Sequence, residues 1–301
     1  MLSVLADPIL PVFAILAIGF ALGRFGWMSV EEARLVNRLA MTVLIPIVLF
    51  DLLANAPYAT FAPRALLVYV GVEAAVFAST VLVCRRLFGL PAGEAVILGF
   101  ASIFTNNVFY GLPIAVLLYG EDGVLPIMTI IILDSTVAMG GTMIALQAIR
   151  QGSASPLAVL GIFWRTPALL AMLAGLAYGA TGLRMPAPVL TFLDFNGEAA
   201  APVALFALGV VLSSTRFGWD GAVAATVGIK LLLFPAAIAL GLVLFAGGAG
   251  ETGQRFVFGS AGPSGATAFS LALLYNVPTE RIAQVLVWTS LLSLLTLAIL
   301  A

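Results

Sequence analysis

Residues 100–120 read FASIFTNNVFYGLPIAVLLYG, and residues 256–276 read FVFGSAGPSGATAFSLALLYN. Each stretch is apolar at both ends and long enough to cross a bilayer, since about 20 helical residues span the ~30 Å of hydrocarbon. Each is also interrupted, the first by Asn106, Asn107, Gly111 and Pro113, the second by Gly262, Pro263 and Gly265. Non-helical backbone at membrane depth persists only where protein or a water-filled cavity satisfies the freed N–H and C=O groups. Half-helix N-termini there would offer partial positive charge and N–H donors to an anion. Asn106 and Asn107 would add amide donors without fixed charge, and Ser264 and Thr267 add hydroxyls beside the second break. Set against this, small residues in membrane helices often serve only close packing.

The rest of the chain matches these two stretches. Of its 301 residues 62% are hydrophobic and only 9% charged, a balance suited to a solvent other than water. A net charge of −1 argues against a nucleic-acid partner, which is held mainly through Lys and Arg. With Cys84 the only cysteine and no histidine, an internal disulfide, a thiolate metal cluster and the usual general base are all excluded. The N-terminus has Asp7 and no basic leader before its apolar run, so residues 6–24 read as a retained first span rather than a cleaved signal.

Dividing the chain at its polar, Gly and Pro interruptions predicts ten spans: 6–24, 35–54, 65–84, 95–119, 124–149, 166–183, 188–213, 222–246, 254–275 and 281–300. Counting alternate loops, one side holds Arg24, Arg34, Arg38, Arg85, Arg86, Arg150, Arg165, Arg216 and Arg281. The other holds Arg64, Arg184 and Arg255. The richer side reads as cytoplasmic, which puts both termini in the periplasm of an inner-membrane protein. Trp27, Trp164, Trp219 and Trp288 mostly flank spans, as interfacial aromatics do.

An internal repeat runs at an offset of 156 residues. PVFAILAIGFALG from Pro11 matches PALLAMLAGLAYG from Pro167, PIVLF from Pro46 matches PVALF from Pro202, and LLYG at 117–120 matches LLYN at 273–276. The repeats divide the chain into residues 1–150 and 151–301. Five spans per repeat means that the second copy enters the membrane the other way up, an arrangement that in transporters places broken helices at a midplane site. In this register Asn106 is equivalent to Gly262 and Asn107 to Pro263.

Five charged residues fall within or near spans: Glu73, Asp134 and Lys230 toward the middle, Asp51 and Glu198 nearer ends. A charge at the bilayer centre costs at least ~2.5 kcal/mol and is therefore paired, cavity-facing or protonated. Glu73 and Lys230 lie one residue apart in the repeat register, hence at similar depth. Two expectations follow. The two form an ion pair, or Glu73 or Asp134 carries a coupling proton.

Enzyme chemistry finds little support. GPSG at 262–265 matches the GxSG string of intramembrane serine proteases, but such a serine needs a histidine base that the chain lacks. No GxGD, HExxH or P-loop is present.

Several segments resemble the auxin efflux carrier family, which includes bacterial organic-acid permeases and plant PIN-formed carriers. They are LIPIVLFDLLA in the second span, NNVFYGLP in the fourth, PVALFALGVVL in the seventh, and the tail GPSGATAFSLALLYNVPTERIAQVLVWTSLLSLLT. The resemblance implies an all-α membrane protein of ten transmembrane helices. It implies a five-plus-five inverted repeat like that of bile-acid symporters, with broken helices 4 and 9 crossing at the site. A scaffold from spans one, two, six and seven would carry a transport domain from spans three to five and eight to ten. The implied activity is transport of small organic anions, malate- or malonate-like carboxylates or auxin-like acids, by elevator-type alternating access in a homodimer. The carrier would be passive or coupled to H+ or Na+, and would need no cofactor. Asn106 matches the family's crossover asparagine and Pro263 the proline of the second crossover. Thr105 and Ala268 stand where plant members carry prolines, departures that bear on auxin itself and not on the crossover. The short 150–165 connection fits a prokaryotic member. A sodium-coupled bile-acid-type symporter and a non-transporting membrane sensor of the same fold are the competing readings.

Overall fold

The computed structural model describes residues 14–55, 62–120, 125–151, 167–214, 218–248 and 250–300. Asp7 and Pro11 of the first expected span, Trp164, Arg165 and Arg216 lie outside them. Every regular element among the described residues is helical.

The helices are α1 (Ala14–Arg24), α2 (Val30–Ala54) and α3 (Pro63–Arg86). Next come α4 (Ala92–Ile103) and α5 (107–119), the latter a π turn, Asn107–Gly111, that runs into an α-helix, Leu112–Tyr119. α6 is Leu125–Arg150, α7 Pro167–Ala180, α8 Ala187–Ser213 and α9 Gly221–Phe245. α10 (Gly250–Ser260), α11 (Thr267–Leu274) and α12 (Glu280–Leu300) complete the order. α2, α3, α6, α8 and α9 are 24 to 27 residues long and apolar enough to cross a membrane. Large apolar side chains such as Leu67, Leu232, Leu240 and Phe245 point outward from them. Burial of such surface in lipid is the physical reason the chain is a multi-pass membrane protein.

The helix ends are set locally. Ser29 and Glu32 form a reciprocal capping box that starts α2. Pro63 opens α3 where its missing N–H is harmless, and Arg85 and Arg86 close it at the negative end of the helix dipole. Asp220 caps α9 by accepting the Val223 N–H at 2.9 Å.

The chain divides into two compact units. One contains α1, α2, α7 and α8, and glycines set its packing. A methyl group at Gly19 would strike the Phe206 carbonyl, and one at Gly175 would strike the Phe50 carbonyl. Gly175 lies 156 residues beyond Gly19 and Phe206 lies 156 beyond Phe50, so one close backbone contact occurs twice at the offset of the sequence repeat. Such contacts let membrane helices gain dispersion energy over a long line of atoms.

The other unit contains α3 to α6 and α9 to α12. Its core gathers Ala65, Tyr69 and Val76 of α3, Ile103 of α4, Ile130 of α6, Phe234, Ile238 and Leu242 of α9, and Phe256 and Val257 of α10. Tyr69 is central, with ring centroids 5.9 Å from Phe234 and 5.8 Å from Phe256. Ile103, Phe256 and Val257 bring into this core the helices that lead to the interruptions in the two stretches quoted first.

Candidate functional site

α4 stops at Ile103 because Phe104 turns extended, and Asn106 then precedes the π turn that opens α5 at Asn107. α10 stops at Ser260, and α11 begins at Thr267. The two gaps meet. The Asn106 N–H donates to the Pro263 carbonyl at 2.9 Å, the Gly265 N–H donates to the Phe104 carbonyl at 2.9 Å, and Thr105 and Ser264 form an antiparallel bridge between them. Backbone groups freed by one break are thus satisfied by the other, as hydrocarbon surroundings require. Ser264 lies 159 residues beyond Thr105, three more than the repeat offset. The extra residues sit in the second gap, which runs over 261–266 where the first runs over 104–106.

Side chains lock the crossing. The Ser264 hydroxyl donates to the Ala101 carbonyl at 2.6 Å, and the Ser264 N–H donates to Thr289 Oγ1 at 3.1 Å. Ser293 reaches the Tyr110 hydroxyl at 3.3 Å, and Thr296 donates to the Ala261 carbonyl at 3.4 Å. Thr289, Ser293 and Thr296 lie four and three residues apart, on one face of α12. Methyl groups at Gly262 and Gly265 would run into Thr105 and the Phe104 ring, so these glycines permit the close approach.

Asn106 is partly buried at the crossing, while Asn107 is 2% exposed and neither its Oδ1 nor its Nδ2 has a hydrogen-bond partner. Its amide lies over Gly111, where a methyl group would collide with Oδ1. Pro113 falls in the first turn of Leu112–Tyr119, and Thr267 opens α11, partly buried.

The three mid-membrane ionisable residues share this unit. Glu73 is 3% exposed, Asp134 2% and Lys230 fully buried. Glu73 and Lys230 do not form the expected ion pair: the described pairs are Arg255–Glu251, Arg281–Glu94 and Arg281–Asp220. The Lys230 ammonium instead donates to Thr105 Oγ1 at 2.6 Å and to the Ser260 carbonyl at 2.8 Å, 5.0 Å from the centre of the Phe234 ring. The reason is geometric. Equal depth does not fix direction around the helix, and a π turn over Ile229–Leu233 shifts the facing of Lys230. Asp134 and Asn107 each begin a π turn too.

Glu73 and Asp134 are electrostatic neighbours of each other and of Lys230. The Glu73 and Asp134 carboxyls reach each other, and Asp134 also faces the Thr105 N–H, whereas the Tyr69 hydroxyl and the Asn107 amide have no hydrogen-bond partner. Buried polar atoms are normally satisfied, because an orphan costs about 1–3 kcal/mol.

Comparison with known proteins adds the decisive observation. A family model described as membrane transport protein matches residues 4–301. The chain belongs to the auxin efflux carrier family of membrane transport proteins.

Relatives of this auxin efflux carrier homologue span nearly its full length. A Rhizobium meliloti (strain 1021) protein named "Putative malonate transporter" is 30% identical over 302 residues, covering 96% of this chain and 92% of its own. An "Uncharacterized transporter" of Methanothermobacter thermautotrophicus is 25% identical, covering 97% and 95%. The "Uncharacterized transporter YfdV" of Escherichia coli K12 is 25% identical, covering 93% and 91%. Within the carrier, sequence reasoning did not find Tyr69, Ser260 or the Thr289–Ser293–Thr296 face. The spacing of those three hydroxyls was the available signal. Thr105 entered only as a departure from plant members, yet its hydroxyl holds Lys230, which a proline at that position lacks any group to do.

Proposed function

We propose that this chain carries small organic anions of the malonate or malate type across the inner membrane by alternating access. The observation that supports this reading most is the meeting of two broken helices at a buried bridge beside the unpartnered amide of Asn107. N-terminal ends of half-helices carry partial positive charge, and an amide donor holds a carboxylate without adding a fixed charge that would trap it. The malonate in the name of the Rhizobium relative suits such a site.

With α4 and α5 counted as one broken span and α10 and α11 as another, the ten spans form a five-plus-five inverted repeat, a reading supported by the twofold occurrence of the Gly19–Phe206 contact as Gly175–Phe50. The unit of α1, α2, α7 and α8 serves as scaffold. The unit holding the crossover is the moving element of an elevator. The nine-to-three distribution of arginines supports termini on the periplasmic side. One proton held between Glu73 and Asp134 balances that pair against Lys230, so a proton is the natural coupling ion. Asn106, Gly111, Pro113, Gly262, Pro263, Ser264, Gly265 and Thr267 frame the solute, mostly through backbone.

Uptake of labelled malonate into proteoliposomes tests the reading. Saturable uptake, competed by malate and accelerated by an acidic exterior, is the expected result. Absence of flux for all three- and four-carbon dicarboxylates would overturn it.

A further inference from the structure

The outer face of α3 is hollowed where it meets α9. Arg64, Leu67, Val68, Gly71, Val72 and Ala75 line the hollow, Phe245 at the end of α9 closes one side, and the volume is about 560 Å³. The six residues of α3 fall at i, i+3, i+4, i+7, i+8 and i+11, a single stripe of a helix. Val68 and Val72 form the floor. A methyl group at Gly241 of α9 would press into both side chains, so the two helices close against each other there. Leu67 and Phe245, each 73% exposed, stand as walls. Between them Gly71 has no side chain, and a methyl group added to it would meet nothing within 4 Å.

Charge is confined to one end of the hollow. Arg64 follows the proline that opens α3, which places it at the membrane surface, and no carboxylate lies within 4 Å of it among the described residues. Every other lining residue is apolar. From Arg64 to Ala75 the stripe covers about 16 Å at 1.5 Å per residue, close to the ~15 Å of hydrocarbon in one leaflet. A soluble anion would leave that apolar length empty. A zwitterionic headgroup would bring an ammonium for which the lining offers no acceptor side chain. We propose that the hollow binds one anionic phospholipid, its phosphate on Arg64 and an acyl chain laid over Gly71 toward Ala75. Arginine suits the role because its planar fork matches phosphate oxygens. The site lies on the lipid face of α3 and α9, away from the crossing, so it stands or falls independently of the carrier reading.

Thermal unfolding of the purified full chain in detergent tests the site, with phosphatidylglycerol, phosphatidylcholine or inorganic phosphate added at one ionic strength. Phosphatidylglycerol is expected to raise the melting temperature saturably, to at least ~3 °C above the phosphatidylcholine value, since a ligand bound only to the folded state stabilises it. Inorganic phosphate should move it by less than about 1 °C. Arg64→Gln should respond to the two lipids alike. Gly71→Leu keeps the cation but fills the hollow, and should lose the preference as well. Native mass spectrometry of the same proteins should show phosphatidylglycerol retained over phosphatidylcholine by the native chain and by neither variant. Both substitutions fall at exposed positions; should one variant fail to fold, the other decides. Equal responses of the native protein to the two lipids, phosphate alone matching phosphatidylglycerol, or a preference that survives either substitution overturns the proposal.

Discussion

The Lys230 ammonium donates to Thr105 Oγ1 across 2.6 Å, fastening the middle of α9 to the extended gap between α4 and α5. The same ammonium holds the Ser260 carbonyl at the end of α10. One side chain thus ties both halves of the crossing to a third helix, where the backbone is least regular. What surrounds it differs in kind. Asn107 is almost as deeply buried, yet neither end of its amide has a partner, and under the proposed function that contrast separates residues that hold the site from one that meets the solute.

Asn107→Leu puts the contrast to a test. Removing an amide that has no partner relieves a buried orphan worth about 1–3 kcal/mol. The variant should therefore melt no lower than the native protein while malonate uptake falls at least ~10-fold, the loss expected for a hydrogen bond to a charged group. A variant that melts markedly lower would make Asn107 a structural residue.

Gly111→Ala should act through Asn107. Its new methyl group occupies the place of Asn107 Oδ1, so the amide must turn away. Uptake is expected to fall about as far in Gly111→Ala as in Asn107→Leu, with little further loss in the double variant, because residues in contact are not additive. Full additivity in the flux assay would show that the two act separately.

In the unit of α1, α2, α7 and α8, Gly19→Val and Gly175→Val should destabilise to a similar extent. Each forces a side chain against a main-chain carbonyl, and overpacking of this kind costs about 1–3 kcal/mol. Thermal melts of the two variants check the expectation. A large loss in one and none in the other would argue against equivalent contacts.

Arg281 joins the start of α12 to Glu94 of α4, at 2.8 Å, and to Asp220, the cap of α9. Glu94 is only 3% exposed, so Arg281→Ala leaves a buried carboxylate uncompensated, at a cost of about 3–5 kcal/mol. Burial alone would raise the Asp220 carboxyl, but the Val223 N–H and the Arg281 guanidinium outweigh it and hold it below the ordinary aspartate value. A depressed carboxyl stabilises the fold at neutral pH. That contribution begins to fade as the pH falls past the unfolded value near 3.9. Melting temperatures recorded down to pH 3 should drop more steeply for the native protein than for Asp220→Asn.

The breaks in the fourth and ninth spans were legible because Asn, Gly and Pro interrupt stretches otherwise apolar enough to span a bilayer. Local chemistry announces a local event. The repeat was legible for a similar reason, since proline and glycine hold their places in both copies. The partners of Lys230 were not. Depth along a helix can be read from residue number, but direction around it changes by about 100° per residue, and a π turn alters that count without any clear mark in the sequence. The three-residue slip between Thr105 and Ser264 was hidden as well, because an extended residue advances about 3.3 Å and a helical one 1.5 Å. A gap of unequal length therefore moves the crossing without disturbing the matches on either side.

The central claim is that a small organic anion binds where the two gaps meet. Equilibrium binding of labelled malonate to the purified protein, compared between the native chain and Asn107→Leu, tests it most directly. Saturable binding by the native protein, weakened at least ~10-fold in a variant that melts no lower, is the expected result. Equal affinity in the two proteins would contradict the account.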